Sequence, residues 1–331
     1  MHARGETKLT RLGFLIFPGF PMACLTSIIE PLRAANEISG AEVFAWSVLS
    51  EDGGRVQSSA RISFDPDAVL GEADPLDILL VLSDPTARAK GGALRALERH
   101  GAVLGAISGG VFPLARAGLL EQHAAAVHWC YEAAFRSEFP TLEATGDTLS
   151  IAPRRLTAAG AAAGFDLALH LISERLGADI ATEVACWFQH PLMRGQGIAQ
   201  AVPVLRTGSG EFAGDAVRAA CAIFTERMEE APPVTEIAAT VGLSARQLER
   251  LFHGTFGESP MRHFRKLRLH AARQRIIYTA EPIGQIALSV GYATAAPLQR
   301  HYREAYGRTP QEDRIRANRF RVEDGAPLPS V

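Results

Sequence analysis

The sequence has no apolar run near the roughly 18 residues that a bilayer-crossing helix needs. Runs such as Leu12–Phe20 and Ile78–Leu82 are strand-sized, so no membrane partner is expected. Met1–Arg11 is polar and charged and lacks the apolar centre of a secretory signal. Export is not expected, and the chain reads as cytoplasmic. Cysteine is scarce. Cys24, Cys130, Cys186 and Cys221 have no metal-ligand spacing and are too few for a disulfide framework. No metal and no cofactor are expected. An excess of one charge is missing too, with 34 Lys and Arg against 36 Asp and Glu.

That balance conceals a division. Residues 231–321 hold 15 Lys and Arg against 7 Asp and Glu, a balance of +8, while the rest of the chain carries −10. Such a split suggests one part built to meet phosphate and another that avoids it. A basic surface that merely solvates its helices would show the same numbers, so charge alone does not decide. The length, 331 residues at 47% hydrophobic content, allows two domains with separate cores.

Along the first 180 residues, strand-like runs alternate with helical patterns. Gly13–Phe17, Phe44–Leu49, Ile78–Leu82 and Val103–Ile107 read as strands. Leu25–Ile38, Ala93–His100, Val111–Ala117 and Ala161–Leu176 read as helices. This alternation predicts an α/β domain over 9–190, a flavodoxin-like parallel sheet flanked by helices. Residues 191–213, rich in Gly, Pro and polar residues, read as a linker. An all-α domain follows over 214–318, and 319–331 reads as a disordered tail.

The all-α part repeats itself. Ile237-Ala238-Ala239-Thr240-Val241-Gly242-Leu243-Ser244 matches Ile286-Ala287-Leu288-Ser289-Val290-Gly291-Tyr292-Ala293 at an offset of 49. The match resumes at an offset of 50 with Leu248/Leu298, Arg250/Arg300, Phe252/Tyr302, Phe256/Tyr306, Gly257/Gly307 and Pro260/Pro310. Each copy makes sense as a helix-turn-helix. Ile237, Ala238 and Val241 share a helical face, and the small Ala permits a close crossing. Gly242 and Gly291 stand where the turn needs positive φ. Ser244 caps the next helix, and Thr294 is expected to do the same. Leu248, Leu251 and Phe252, and Leu298 and Tyr302, are expected to pack inward.

The outward positions are then Arg246, Gln247 and Arg250 in one copy and Gln299, Arg300 and Arg303 in the other. Arg and Gln on the early turns of such a helix reach guanine and adenine edges in the major groove. Ser244, Ala245, Thr294 and Ala295 fall at the helix starts, within reach of DNA. Between the copies runs Met261–Tyr278, a basic helix with Arg262, Arg265, Lys266, Arg268, Arg273 and Arg275. Its arginines, Arg268 in particular, are expected on phosphate. Residues 214–318, and above all Gly291-Tyr292 through Tyr306-Gly307-Arg308-Thr309-Pro310, resemble the AraC/XylS DNA-binding domain. The resemblance implies a regulator of transcription bound to double-stranded DNA. Ala295, Ala296 and Pro297 replace larger polar residues often found there, which implies that the second copy mostly grips backbone.

In the α/β part, Val103-Leu104-Gly105-Ala106-Ile107-Ser108-Gly109-Gly110 is a strand running into a sharp glycine turn and a helix. That is the pattern of a nucleophile elbow, with Ser108 at the bend and His128 downstream as a candidate base. The stretch Gly105–Leu120 with His128-Trp129 resembles the ThiJ/PfpI amidotransferase-like domain found in GlxA-like regulators. Enzymatic relatives carry a Cys at the elbow and an acid nearby, whereas here the positions hold Ser108 and Cys24. The resemblance therefore implies a sensing cleft rather than an enzyme; a hydrolase or amidase using Ser108 and His128 is the alternative. Ser108, Gly109 and Gly110 would receive a carboxylate, Glu30 and Trp129 would face a cationic group, and His128 would line the same effector site. Glu30–Asn36 also resembles regulators of carnitine, betaine and arginine catabolism. A small zwitterionic effector is expected. Such regulators commonly form homodimers, here with Ala161–Leu176 as candidate interface or, equally, as a helix buried within the monomer, and contact RNA polymerase when they activate.

Overall fold

A computed structural model describes residues 9–190, 195–200, 202, 214–230 and 232–322. The chain divides into two compact units, the first ending at Gln200 and the second spanning 201–318.

The first unit runs β1 (Thr10–Ile16), α1 (Met22–Ser39), β2 (Phe44–Ser50), β3 (Val56–Gln57), β4 (Ser63–Phe64), β5 (Ala68–Val69), β6 (Ile78–Ser83) and α2 (Gly91–Arg99). It continues with β7 (Val103–Ser108), α3 (Val111–Arg116), β8 (Ala125–Ala126), α4 (Glu132–Glu138), β9 (Ala144–Thr145), β10 (Leu149–Ala152), β11 (Arg155–Ala158), α5 (Ala161–Leu176) and α6 (Ala178–Trp187). Seven strands form one sheet in the order β10-β11-β7-β6-β1-β2-β5. Every neighbour in it is parallel except the β10–β11 hairpin. The four strands and four helices expected from the alternation are all present.

A parallel strand is buried on both faces and reads as a continuous apolar run. All six residues of β6 are buried. Leu12, Phe14 and Ile16 of β1 and Ile78, Leu80 and Leu82 of β6 turn to one face and join the core under α1, α5 and α6. On that face α5 lies against both α1 and α6. A Cβ at its Gly164 would lie 2.8 Å from Ser27 Oγ, so the glycine lets the backbone of α5 pack directly on side chains of α1. The small-residue side of Ala161–Leu176 is thus covered within the unit, the second of its two expected roles.

The chain leaves β1 toward β2 on one side and returns to β6 on the other. Ligands of such sheets sit outside the carboxyl ends of the strands at this reversal. Ser83, ending β6, and Ser108, ending β7, are register partners at that edge.

The second unit is helical: α7 (Asp215–Glu226), α8 (Val234–Thr240), α9 (Ala245–Phe256), α10 (Pro260–Tyr278), α11 (Ile283–Ser289), α12 (Ala295–Tyr306) and α13 (Pro310–Val322). The repeat holds in three dimensions. Ile237/Ile286, Ala238/Ala287, Leu248/Leu298 and Phe252/Tyr302 are buried pair by pair. Leu251 is not, at 37% exposed, because Leu248 and Phe252 already fill the inward stripe of α9. The last helix runs to Val322, past the expected end at 318; 323–331 lie outside the described residues, as does most of the expected linker.

Part of that linker belongs to the first unit. Thr148 N–H donates to the Ile198 carbonyl at 2.8 Å, Ala199 bridges Asp147, and Gln200 is buried. Among the described residues no helix is long and apolar enough to cross a membrane, and no group of three His, Cys, Asp or Glu could hold a metal.

Candidate nucleic-acid interface and sensing cleft

The second helix of each copy, α9 and α12, follows a glycine in the left-handed region, Gly242 at φ 74° and Gly291 at φ 78°. The two glycines differ in surroundings. Nothing would meet a Cβ at Gly242, but at Gly291 it would overlap the Arg268 guanidinium and the Met228 carbonyl.

Arg268 therefore overturns its predicted role. Its Nε and Nη2 donate to the Met228 carbonyl at 3.2 and 2.9 Å. The guanidinium lies 4.5 Å from the Phe264 ring centroid and 5.5 Å from that of Tyr292. Burial lowers its pKa from the ordinary value. It ties the end of α7, through α10, to the turn of the second copy, and is not available to phosphate. Arg273 likewise pairs with Asp313 and lies over Tyr306, and Arg275 is held by Glu281 and Ser289. What α10 presents outward is Arg262, Arg265 and Lys266. Arg262 and Lys266 both reach Glu258 Oε2, whereas Arg265 lies close enough to Tyr292 and His301 to perturb their titration.

On the reading helices, Arg246 and Arg250 of α9 and Arg300 and Arg303 of α12 are exposed, and Gln299 is half-buried. The helix starts diverge. Ser244 Oγ accepts from Gln247 N–H at 3.3 Å, and Gln247 Oε1 accepts from Ser244 N–H at 2.8 Å, a closed capping box. A bidentate pair with adenine needs an acceptor and a donor, and here the Gln247 acceptor is engaged. Thr294 makes no cap bond with its side chain. The third residue of α12, which would donate to it, is Pro297, and proline has no N–H. The expected cap is absent for that reason. Ala245 and Ala295 are half-buried beside these caps.

Beyond α9 and α12, one contact recurs with its acid and base exchanged. Glu258 Oε1 meets His263 Nδ1 at 3.0 Å in the first copy. Fifty residues on, Arg308 Nη1 meets Asp313 Oδ1 at 3.3 Å.

At the carboxyl edge of the sheet, Ser108 has φ 56°, the strained bend of an elbow, but is fully buried. A Cβ at Gly109 would overlap the Ser83 carbonyl, and one at Gly110 the Val81 carbonyl. Only glycine lets β7 turn this close to β6. Ser83 Oγ is buried with no hydrogen-bond partner. His128 Nδ1 accepts the Cys130 N–H at 3.2 Å and lies 3.0 Å from Cys130 Sγ. Burial pushes its pKa down to about 4, so it is neutral at pH 7 with its proton on Nε2. Trp129 stands beside it, ring centroids 5.4 Å apart. Cys24 lies buried in the first turn of α1, its thiol pushed up to about 12 by burial. Glu30 does not join this group. It lies six residues further along α1, about 9 Å, where it pairs with Arg33 at 3.0 Å on a solvent face.

A helix-turn-helix domain model matches residues 237–316. The HTH-type transcriptional regulator GbdR of Pseudomonas aeruginosa (strain UCBPP-PA14) is 33% identical over 92% of this chain and 83% of its own length. The chain belongs to the AraC family of transcription regulators.

Within that family it is of the GlxA-like type. The HTH-type transcriptional regulator GlxA of Rhizobium meliloti (strain 1021) is 31% identical over 96% of this chain and 99% of that one. Among solved structures, an AraC family transcriptional regulator from Pseudomonas putida covers 54% of this chain and 99% of its own, at 27% identity and a TM-score of 0.49. This AraC-family chain is a DNA-binding regulator. Two residues of the candidate sites escaped the sequence reading. Arg265 was visible only as one cation among six, and Ser83 ends an unremarkable apolar strand.

Proposed function

We propose that this regulator reads its operator mainly with α9, grips backbone with α12 and Arg265, and is set by a small zwitterion in the first unit. The observation that carries the first part is the contrast between the helix starts. α9 is closed by its capping box and presents Arg246 and Arg250. α12 opens on an uncapped Thr294 hydroxyl and the N–H groups of Ala295 and Ala296, suited to a phosphate. Leu251, exposed on the face of α9 that carries Gln247 and Arg250, is suited to a thymine methyl. Footprinting on DNA flanking the gene tests the assignment. Arg246→Ala should cost about 1–3 kcal/mol at one base pair. Arg265→Ala should weaken all sequences alike and lower the salt slope by about 1.

The effector site is placed at Ser108, Gly109, Gly110, His128 and Trp129, with the unmet hydroxyl of Ser83 added. A betaine, carnitine or an amino acid fits the zwitterionic expectation. Glu30 is left out because Arg33 already holds it. A sensor without turnover is favoured because His128 has no free acceptor nitrogen and Cys24 replaces the acid. Thermal shift of the full chain with glycine betaine, carnitine and arginine should raise the midpoint with at least one, and Ser108→Ala should abolish the rise. Ester or amide turnover lost in Ser108→Ala would instead restore the hydrolase. The working form is a cytoplasmic homodimer joined through the first unit, contacting RNA polymerase if it activates.

A further inference from the structure

With Glu30 held by Arg33, the cationic end of a zwitterion needs another acid at the carboxyl edge of the sheet. The strand beside the elbow supplies one. β6 ends at Ser83, and the chain turns through Asp84, Pro85 and Thr86. A Cβ at Gly109 would lie 2.4 Å from the Ser83 carbonyl oxygen, 2.7 Å from the Asp84 carbonyl carbon and 2.9 Å from Pro85 N. This turn therefore rests directly on the elbow.

Asp84 is buried, at 7% exposure. A carboxylate taken from water needs hydrogen bonds on both oxygens or a cation beside it. Both hydrogen bonds that its side chain accepts, from Thr86 N–H and from the Thr86 hydroxyl, fall on Oδ1. Oδ2 receives none from any described residue. Among the described residues no Lys, Arg or His pairs with this carboxylate either. Arg116 reaches the same turn, its Nη1 donating to the Ala87 carbonyl at 2.6 Å, but Glu138 holds its Nε and Nη2 at 2.6 and 2.8 Å.

The residue before it is also unmet. Ser83 Oγ is fully buried without a partner. Leu82 and Ile107 belong to the core under α1, α5 and α6. Alternation along the strands therefore turns Ser83 and Ser108 together to the opposite face. An open acceptor and an open hydroxyl thus sit on consecutive residues against the elbow. An acid in this place also opposes hydrolysis, since turnover at Ser108 would build negative charge where a hydrolase sets donors.

We propose that Asp84 holds the cationic end of the effector, its Oδ2 facing an organic cation with the Ser83 hydroxyl at its side. The inference rests on the sensing cleft proposed above and adds what that cleft selects: a ligand must bring a cation to be accepted.

Melting and calorimetric titration of the full chain, unaltered and as Asp84→Asn and Asp84→Ala, test it. Asparagine keeps an acceptor for Thr86 and removes the charge. Without ligand, Asp84→Asn should melt above the unaltered protein, because a buried acid held ready for a cation costs stability. Asp84→Ala also takes away the Thr86 acceptor and should melt below Asp84→Asn. Glycine betaine, carnitine or arginine, whichever binds the unaltered chain, should bind Asp84→Asn about tenfold or more weakly. Propionate, which brings no cation, should bind Asp84→Asn no worse than the unaltered chain. Arginine offers N–H donors and glycine betaine offers charge alone, so their ranking tells which kind of cation the site takes. Unchanged zwitterion affinity in Asp84→Asn would overturn the proposal and leave the cleft standing, and a lower melting point for Asp84→Asn would make Asp84 a plain turn residue. If no zwitterion bound the unaltered chain, the effector reading would fail. Choline and agmatine, cations without a carboxylate, would then judge Asp84 alone: binding weakened by Asp84→Asn would uphold it, and no binding of either would overturn it.

Discussion

Two glycines in equivalent turns carry different duties, and substitution should separate them. Gly242→Ala meets only the cost of a left-handed alanine, about 1–2 kcal/mol. Gly291→Ala adds a collision with Arg268 and Met228 and should cost several kcal/mol more; equal losses in denaturant titration would contradict the clamp. The caps give a second contrast. Ser244→Ala should cost about 1 kcal/mol, while Thr294→Ala should leave stability unchanged, since Pro297 offers its hydroxyl nothing. The sequence announced the turns and the capping serine by residue type alone. It could not announce that Arg268 folds inward. An arginine on a basic helix reads as a phosphate ligand until the carbonyl it satisfies is known. Glu30 failed for the converse reason: local context made it a ligand, and only the run of α1 shows its distance from the elbow.

At the scale of elements, α10 looked like a basic rod and proves to be an internal strut. Its 19 residues span about 28 Å, and its inward cations lock both copies. Glu258, at the turn leading into α10, is raised by burial, but hydrogen bonds from Lys266 and His263 outweigh this and hold its pKa below the usual 4.5. A depressed carboxylate adds stability that is fully present above its ordinary pKa and is lost as pH falls through the lowered value. Glu258→Gln should therefore destabilise the second unit at pH 7 and flatten its loss of stability below about pH 4.5, measured by acid titration of helical circular dichroism. The helices and parallel strands were legible because each carries one period for its full length. The hairpin β10–β11 and helix α6 were not, since four-residue strands and an alanine-rich helix leave little pattern to read.

For the whole molecule, the strut implies a fixed phase between the two reading helices. Five base pairs inserted between the segments they contact should turn one face away and remove the second copy's contribution, seen as a footprint shortened on one side. Arg268→Ala should regain part of that footprint while lowering the melting temperature.

The pair with acid and base exchanged bears on assembly rather than on reading. Two copies of one motif in a single chain can dock onto each other's partners during folding, a common failure of repeated units. Here such an exchange would set Glu258 against Asp313 and His263 against Arg308. Acid would face acid, and base would face base. The inversion therefore makes the exchanged arrangement the less favourable one at both positions.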